Sequence, residues 1–417
     1  MCLTLPGRVI EVRDGVVEII SAGKSQNIKS AGLKLKKDDW ILATGDYVVK
    51  KITADEAQEI ISLFDNYNLK ALPSKEVSNL LDKSLNSNLN QEEIKFLLEI
   101  SQPKDLDALY RQANIVRLDR ALQHICVHGI IEFANYCSND CWYCGLRASN
   151  QNLCRYRLSD EELVNSAVRA VNESGYKILV LQSGEDDAYD LDRLRKIISN
   201  IKKQAKVFIY LSIGERNFSD YQILKEAGAG GVLMRFETAD EKNYSIIRPG
   251  KKLTDRIELL KQLKSIGYLL ATGFLFGLPQ ENTQSLVDNL LLLRELSPFM
   301  VSVGPLVPSA QTPLATYPIP SEEMTLKLIA LARLLLPQSR LTITTAMETL
   351  YGEDFRQKAF LAGANSLMLN LTPAQVRDDY YIYANKFFDE EKKFEKWSLF
   401  KGDLSYQMLE EELGESI

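Results

Sequence analysis

Three of the six cysteines fall within the eight residues "CSNDCWYC", which begin at Cys137. Cys137, Cys141 and Cys144 have the spacing Cys-x3-Cys-x2-Cys. A short loop that supplies three thiolates suits soft metals, namely an iron–sulfur cluster, zinc or copper. Three ligands on a four-iron cluster would leave one iron open for another molecule. The spacing therefore predicts metal chemistry at this loop, with an iron–sulfur cluster favoured.

Two other uses of these cysteines stay open. A closed zinc site needs a fourth ligand, and Cys154 is the available one, because neither His124 nor His128 has a useful spacing to the loop. Closed zinc sites usually pair two cysteine knuckles, which makes zinc the weaker alternative. A disulfide is weaker still, because six cysteines without regular pairing fit a reducing cytoplasm.

The segments around the loop predict the fold that positions it. Apolar, β-rich runs recur eight times after residue 125, and helical stretches such as "SDEELVNSAVRAVNESG" separate them. Eight β/α alternations in one run predict an α/β fold, a complete (β/α)8 TIM-type barrel. The cysteine loop directly follows the first run, "GIIEFAN". Because chemistry in such barrels lies at the carboxyl ends of the strands, this loop is placed for an active site.

The first fifty residues differ from the barrel. Apolar and polar residues alternate on both sides of Asp14–Gly15, which is typical of a β-hairpin. We expect a small, OB-like β-barrel, followed by a helix that Thr53 and Glu56 cap. The predicted organisation is a small β-barrel plus helix over 1–65, a helical linker and barrel lead-in over 66–125, the barrel over 126–386, and a peripheral helix or tail over 387–417.

Composition limits the classes of partner. The 417 residues are 45% hydrophobic and 25% charged, which is ordinary for a globular protein. A net charge of -6 provides no basic surface for nucleic acid. No apolar run approaches the roughly 18 residues of a membrane span, and the first residues lack the apolar core of a secretory signal. We therefore expect a cytoplasmic protein without nucleic-acid or membrane partners.

The cysteine loop, with Tyr143 before its last cysteine, resembles that of the radical S-adenosylmethionine superfamily. Over about residues 90–386 the likeness is to the HydE family of FeFe-hydrogenase maturases, through "VLQSGED", "LSIGER", "RFETA", "GFLFGLP", "TTAMETL" and "LTPAQVRDDY". The resemblance implies a 4Fe-4S cluster and S-adenosylmethionine, whose reductive cleavage yields a 5′-deoxyadenosyl radical. A closed barrel interior would keep such a radical from water.

The resemblance also implies roles for single residues. Cys137, Cys141 and Cys144 match the cluster ligands. The residues that match the family's S-adenosylmethionine site are Tyr143 beside the adenine, Ser183, Gly184 and Glu185 beside the methionyl group, Ser212 and Glu215 on the next strand end, Arg235 and Glu237 around the methionyl and ribose groups, and Arg248 near the carboxylate. For Arg235, Glu237 and Arg248 the alternative is a structural ion network at the barrel mouth.

Substrate contacts are expected from later strands. The matching positions are Thr344, Thr345, Met368 and Arg377, although Met368 fits a barrel-core residue equally well. The chain departs from the family at Ser309, Gln311, Glu348 and Val376, where a histidine, an aspartate, a glycine and a tyrosine are usual. These departures leave the substrate more open than the type of reaction.

The N-terminal stretch "MCLTLPGRVIEV" resembles the start of the HypC/HupF family of hydrogenase chaperones, over about the first 65 residues. Removal of Met1 would leave Cys2 with a free amine and a thiolate, which together can chelate a soft metal. The resemblance implies an iron centre that bears cyanide and carbonyl ligands. The family's downstream histidine is missing, and the chain continues with Lys50 and Lys51. An iron-binding domain with other ligands, a docking module and an ordinary exposed thiol all stay open.

Both resemblances together imply a radical maturase for the diiron site of FeFe-hydrogenase. Its substrate would be an organometallic iron precursor of the Fe(CO)2(CN)-cysteine type, and a tethered chaperone domain would raise the local concentration of that precursor. The implied partners are HydG-like and HydF-like maturases and a ferredoxin-type electron donor. Two alternatives are a radical enzyme that acts on an amino acid, similar to methylornithine synthase, and a non-catalytic carrier or scaffold for an iron complex.

Overall fold

The computed structural model describes residues 6–13, 15–21, 24–30, 33–44, 47–58, 72–120, 125–352 and 354–388. Several predictions concern residues outside these ranges. They are the iron-binding role of Cys2, any role of His124, the Asp14 half of the first turn, and the C-terminal helix or tail beyond residue 388.

The N-terminal part folds as a small closed barrel of five strands, in the order β1-β2-β3-β5-β4. Alternate side chains point inward, and Val9, Val17, Ile19 and Ile41 form its core. The strands are β1 (Gly7–Arg13), β2 (Val16–Ser21), β3 (Lys24–Lys29), β4 (Trp40–Thr44) and β5 (Tyr47–Ile52). The predicted small β-barrel is confirmed.

Local capping follows the sequence signals. The Thr53 amide donates to Glu56 Oε2 at 2.7 Å, and the Glu56 amide donates to Thr53 Oγ1 at 3.1 Å. This reciprocal pair is the predicted capping box, and it satisfies two amides that have no partner within the helix.

Three helices within residues 72–120 come before the large barrel and pack against it. They are α1 (Lys75–Asn86), α2 (Gln91–Glu99) and α3 (Pro103–Arg120). Two cationic side chains from helices of the barrel donate hydrogen bonds to backbone carbonyls of this helical layer. Lys327 Nζ donates to the Leu98 carbonyl at 3.0 Å, and Arg294 Nη1 donates to the Leu89 carbonyl at 2.8 Å.

Eight parallel strands close the large barrel, in the order β10-β12-β14-β15-β6-β7-β8-β9. Each of the eight predicted β-rich runs supplies one strand of the barrel, so the complete TIM-type barrel is confirmed. The strands from this part are β6 (Cys126–Ala134), β7 (Ile178–Ser183), β8 (Phe208–Ser212), β9 (Gly231–Leu233), β10 (Leu269–Thr272), β11 (Leu275–Phe276), β12 (Met300–Val301), β13 (Gly304–Pro305), β14 (Arg340–Ile343) and β15 (Ser366–Asn370), with β11 and β13 paired as a separate two-stranded sheet.

Nine helices lie between these strands within the described residues, and a tenth follows β15. They are α4 (Asp160–Asn172), α5 (Leu191–Gln204), α6 (Phe218–Glu226), α7 (Glu241–Ile247), α8 (Leu253–Ser265), α9 (Thr283–Leu296), α10 (Glu322–Leu335), α11 (Thr345–Tyr351), α12 (Phe355–Leu361) and α13 (Ala374–Arg377). None of the helices in the described part of the chain combines the length and the apolar character that a membrane crossing requires.

Two apolar layers hold the barrel together. Inside it, Ile130, Val180, Tyr210, Ala271 and Met300 fill the interior, as expected for a barrel that is a packed core rather than a pore. A larger layer lies between the strands and the surrounding helices. Because all eight strands run in the same direction, their carboxyl ends meet at one mouth. Residues that follow different strands are therefore brought together there.

Candidate active site

The cysteine loop begins directly after β6 and is fixed at the mouth by backbone hydrogen bonds. The Ser138 amide donates to the Glu185 carbonyl at 3.0 Å, just after β7. The Trp142 amide donates to the Ile247 carbonyl at 2.9 Å, at the end of α7. The Gly145 amide donates to the Ile382 carbonyl at 2.8 Å. Three separate parts of the chain thus position the loop.

The donor set of the loop consists of three thiols, the ligands that iron–sulfur clusters use. Among the described residues, no three His, Cys, Asp or Glu side chains come close enough together to hold one metal ion. In a four-iron cluster each thiolate binds a different iron, so its ligands lie further apart than those of one ion. Cys154, the proposed fourth zinc ligand, is exposed. This arrangement does not favour the zinc alternative.

Two of the three thiols, Cys141 and Cys144, have raised pKa values. Burial raises the pKa of the Cys141 thiol to about 11, and the nearby Cys137 adds to this effect. Burial also raises the pKa of Cys144 far above its usual value. Because a thiol must lose its proton to become a ligand, metal loading of this loop competes with protons.

A close backbone approach explains Gly184 in "QSGED". A Cβ atom at this position would lie 2.1 Å from the Tyr136 carbonyl oxygen and 2.7 Å from Cys137 Cβ. Real Cβ atoms essentially never come within 3.0 Å of another heavy atom. The end of β7 can therefore contact the start of the cysteine loop only if this residue is glycine.

Acidic residues at the ends of β7 and β8 are joined by three cations. Glu185 lies 3.6 Å from Arg248 and 3.5 Å from Lys251. Glu215 lies 2.8 Å from Lys251 and 2.6 Å from Arg256. The network brings five charged side chains together at the mouth.

Glu237 is the centre of a second group. Its Oε1 accepts a hydrogen bond from the Tyr143 hydroxyl at 3.0 Å. Its Oε2 forms an ion pair with Arg235 Nε at 3.2 Å, but this buried oxygen has no hydrogen-bond partner among the described residues. The backbone of Glu237 is left-handed, with φ 68°, a conformation that is costly for a residue other than glycine and is often found at functional sites.

Several buried polar atoms at this mouth lack a hydrogen-bond partner in the described part of the chain. Besides Glu237 Oε2 they include Arg248 Nε, Arg256 Nη2 and Thr344 Oγ1. Unpartnered buried polar groups are costly and rare in folded proteins. All four of these residues line one cavity. The arrangement therefore fits a ligand with carboxylate, amine and hydroxyl groups, such as S-adenosylmethionine.

The cavity has a volume of about 290 Å³ and extends into the barrel. The predicted residues that line it are Tyr143, Cys144, Ser183, Glu185, Ser212, Arg235, Glu237, Arg248, Thr344, Thr345 and Met368. Met368 also packs against the inner core, so both interpretations of this residue apply. The predicted residues that are not among its lining residues are Cys137, Cys141, Gly184, Glu215 and Arg377.

The four departures from the family pattern do not line the cavity. Glu348 is buried and forms an ion pair with Arg356. Gln311 accepts a hydrogen bond from Asn152 Nδ2 at 3.1 Å on the surface. Ser309 is buried, and Val376 packs against the outer apolar layer. These substitutions change the surroundings of the cavity rather than its wall.

Sequence reasoning missed other lining residues, namely Glu132, Gln182, Arg256, Asn370, Tyr380, Tyr383 and Lys386. One signal was available for Glu132, because a lone carboxylate stands within the apolar run "GIIEFAN". A charged residue on a buried strand needs a partner. No comparable signal along the chain indicates that Lys386 is that partner.

Comparison with known proteins agrees with this geometry. Three family models match the chain: the radical SAM superfamily over residues 131–293, the HupF/HypC family over residues 1–64, and the biotin and thiamin synthesis associated domain over residues 302–394. Two solved structures share the fold. Methylornithine synthase (PylB) has a TM-score of 0.70 and 24% identity, covering 79% of this chain and 99% of its own. The maturase HydG has a TM-score of 0.68 and 21% identity, covering 81% and 76%.

A curated relative decides the family. The FeFe hydrogenase maturase subunit HydE of Thermotoga maritima is 39% identical over 313 residues, which are 75% of this chain and 89% of that protein. The superfamily match makes the chain a radical S-adenosylmethionine enzyme, and the family implies the 4Fe-4S cluster and S-adenosylmethionine as its cofactors. The chain belongs to the HydE family of radical S-adenosylmethionine enzymes and carries an N-terminal HupF/HypC domain.

Proposed function

We propose that this enzyme acts in the assembly of the FeFe-hydrogenase diiron site, on an organometallic iron precursor of the Fe(CO)2(CN)-cysteine type. One observation carries the proposal: 89% of a hydrogenase maturase subunit aligns with this chain at 39% identity. The HupF/HypC match over residues 1–64 adds a second hydrogenase-linked family in the same chain. The proposed partners are HydG-like and HydF-like maturases and a ferredoxin-type electron donor.

In this proposal the chain binds and orients its cofactors. Cys137, Cys141 and Cys144 would hold the cluster, and S-adenosylmethionine, when bound and reduced by one electron through the cluster, would supply a 5′-deoxyadenosyl radical. Glu237 Oε2, which has no hydrogen-bond partner among the described residues, would accept a hydrogen bond from a ribose hydroxyl, and Arg248 would bind the methionyl carboxylate. Burial at the mouth excludes water, and each such charged hydrogen bond contributes about 1.5–3 kcal/mol.

The proposed substrate lies further inside the barrel. Thr344 presents a buried hydroxyl without a partner, whereas the Thr345 hydroxyl is already 2.7 Å from the Tyr383 hydroxyl. Thr344 is therefore the more available contact for a polar substrate atom. Met368 supplies a polarisable wall beside it.

The N-terminal domain is proposed to capture the iron precursor through Cys2. Lys50 and Lys51 do not carry this proposal, because both have carboxylate neighbours. Lys51 Nζ lies 2.7 Å from Asp39, and Lys50 Nζ lies 3.8 Å from Glu56. A tethered carrier acts by raising effective concentration and adds no catalytic group.

A reconstituted maturation reaction that lacks its HydE component tests the function. Addition of the cluster-loaded protein should yield active FeFe-hydrogenase, and the Cys141→Ala variant should not. Conversion of lysine to methylornithine, without any hydrogenase activity, would instead identify an amino-acid enzyme. Failure to cleave S-adenosylmethionine at all would reject both enzyme hypotheses and leave the non-catalytic carrier or scaffold.

The role of Cys2 has its own test. Cys2→Ala should slow maturation when the iron precursor is scarce and have little effect when the precursor is abundant. Cleavage of S-adenosylmethionine should not change, because that chemistry belongs to the other barrel. Equal maturation by both proteins at every precursor level would reduce the domain to a docking module.

A further inference from the structure

A segment after the last barrel helix crosses the mouth of the barrel. We call residues 380–388 the mouth segment. Its Ile382 carbonyl accepts from the Gly145 amide of the cysteine loop at 2.8 Å. Its Phe387 amide donates to Thr349 Oγ1 of α11 at 2.9 Å. The segment is thus fixed at both ends, and it contributes Tyr380, Tyr383 and Lys386 to the barrel cavity.

A second pocket adjoins this segment. It has a volume of about 340 Å³, and we call it the outer pocket. Tyr380, Tyr383 and Lys386 line both the outer pocket and the barrel cavity. The two spaces are therefore neighbours that share these three side chains. Arg377, one of the predicted substrate residues, lines only the outer pocket.

Lys386 forms a buried ion pair with Glu132 at this boundary. The side chains are 6% and 2% exposed. Among the described residues, Glu132 is the one hydrogen-bond acceptor of the Lys386 ammonium, which has three N–H donors. Glu132 has a further partner, because Asn370 Nδ2 donates to its Oε2 at 2.8 Å. The carboxylate therefore keeps a hydrogen bond when Lys386 turns to another anion.

The outer pocket offers an anion hydrogen-bond donors rather than a net positive charge, because Lys386 is paired with Glu132 and Asp378 also lines the pocket. Arg377 donates to the Thr372 carbonyl at 3.0 Å and has no carboxylate partner among the described residues. A buried ammonium is strongly destabilised when it loses its only counterion. An incoming anion that replaces Glu132 keeps Lys386 paired throughout the exchange.

The position of the cofactor site calls for a separate route by which the substrate enters the barrel. The residues proposed to hold S-adenosylmethionine lie beside the cysteine loop, at the mouth of the barrel. A substrate that arrives after the cofactor has to reach the interior without passing through it. The outer pocket meets the barrel cavity on the side of the mouth segment.

We propose that the outer pocket is an uptake site for a small anionic substrate, and that Lys386 exchanges Glu132 for this anion as it passes into the barrel. This inference rests on the proposed function for the identity of the anion, a cyanide-bearing iron complex. Arg377 provides the first contact in the outer pocket, and Lys386 provides the second.

Arg377→Gln tests the uptake site, with Arg195→Gln as the matched control. Both variants remove one positive charge, but Arg195 is exposed on α5 and pairs with Asp192. In a maturation assay, Arg377→Gln should raise KM for the iron precursor about tenfold relative to the control, with the loss in KM rather than in kcat. Equal KM values, or a loss confined to kcat, would overturn the proposal.

Potassium ferrocyanide gives a readout that does not require maturation. Isothermal titration of cluster-loaded enzyme with this stable iron–cyanide anion should show about tenfold weaker binding for Arg377→Gln than for Arg195→Gln. Selective weakening without any maturation by the wild-type enzyme would reject the proposed function and retain the uptake site. Normal maturation by the wild-type enzyme, together with identical ferrocyanide affinities of the two variants, would retain the proposed function and reject the uptake site.

The exchange step at Lys386 needs a variant that leaves no lone buried charge. The double variant Glu132→Gln/Lys386→Met removes both members of the pair. It should raise KM for the precursor and leave the first contact of ferrocyanide with Arg377 detectable by titration. A double variant with the KM of the wild-type enzyme would show that the anion does not pass Lys386.

Discussion

Replacing Gly184 by alanine should loosen the iron–sulfur cluster, because the new methyl group has no room beside the cysteine loop. Its Cβ would lie 2.1 Å from the Tyr136 carbonyl oxygen, whereas real contacts begin at 3.0 Å. The obstacle is backbone, which cannot rotate away, so the chain must move by about 1 Å. Cys137 follows Tyr136, and the Cβ added at residue 184 would also lie too close to Cys137 Cβ, at 2.7 Å.

The expected magnitude follows from this displacement. Metal–ligand distances tolerate shifts of about 0.2 Å, so a movement of about 1 Å is several times too large for a cluster ligand. Overpacking of this kind costs about 1–3 kcal/mol. If that cost falls on the loaded loop, cluster retention should drop roughly 5- to 150-fold. No left-handed backbone contributes, because Gly184 is not among the residues with positive φ.

Gly175→Ala is the matched control. Gly175 has φ +76°, but no heavy atom lies within 4 Å of its added Cβ. This variant should lose about 1–2 kcal/mol of stability through backbone strain and retain its cluster. The assay is the loss of thiolate-to-iron absorbance under an iron chelator, with iron counted per chain. A Gly184→Ala protein that keeps its cluster as long as Gly175→Ala does would refute the reasoning.

Three further predictions concern single side chains. Glu237→Gln should weaken S-adenosylmethionine binding roughly 10- to 100-fold while the cluster is retained; unchanged affinity in calorimetry would assign Glu237 to a structural ion network. Cys141→Ala should abolish iron binding and Cys154→Ala should not; iron loss in the second protein would support a zinc-type site. Burial raises the pKa of Glu281 from 4.5 to about 7, so the folded protein retains a proton that the unfolded chain releases, and stability should fall as pH rises from about 4.5 to 7. Thermal denaturation of Glu281→Gln should lack this fall, and an equal fall in both proteins would contradict the assignment.

Much of the fold could be predicted because its signals are local. Each barrel strand is a short apolar run beside a helical repeat, and the capping box of Thr53 and Glu56 needs residues only three positions apart. The cysteine loop was also recognisable, because all three thiols lie in one short segment. Its place after β6 followed from the order of the elements.

The charged residues that surround the predicted site residues could not be predicted in the same way. Lys251 lies in a loop and Arg256 in α8, and neither element carries a chemical signature, yet both residues pair with Glu215. Arg377 was expected around the barrel cavity and lines the outer pocket. These outcomes depend on the direction in which each long side chain extends from its backbone, which spacing along the chain does not determine.

The sequence by itself determined the metal-binding loop and the fold class, through the spacing of three cysteines and the order of eight strands. Tertiary structure decided which charges meet. Tyr143 and Glu237 are 94 residues apart, and Glu132 and Lys386 are 254 apart. The physical reason is closure of the barrel, which brings the ends of distant strands to one mouth and buries their charges there. A buried charge requires a partner, but only the register of the closed barrel selects which residue that partner is.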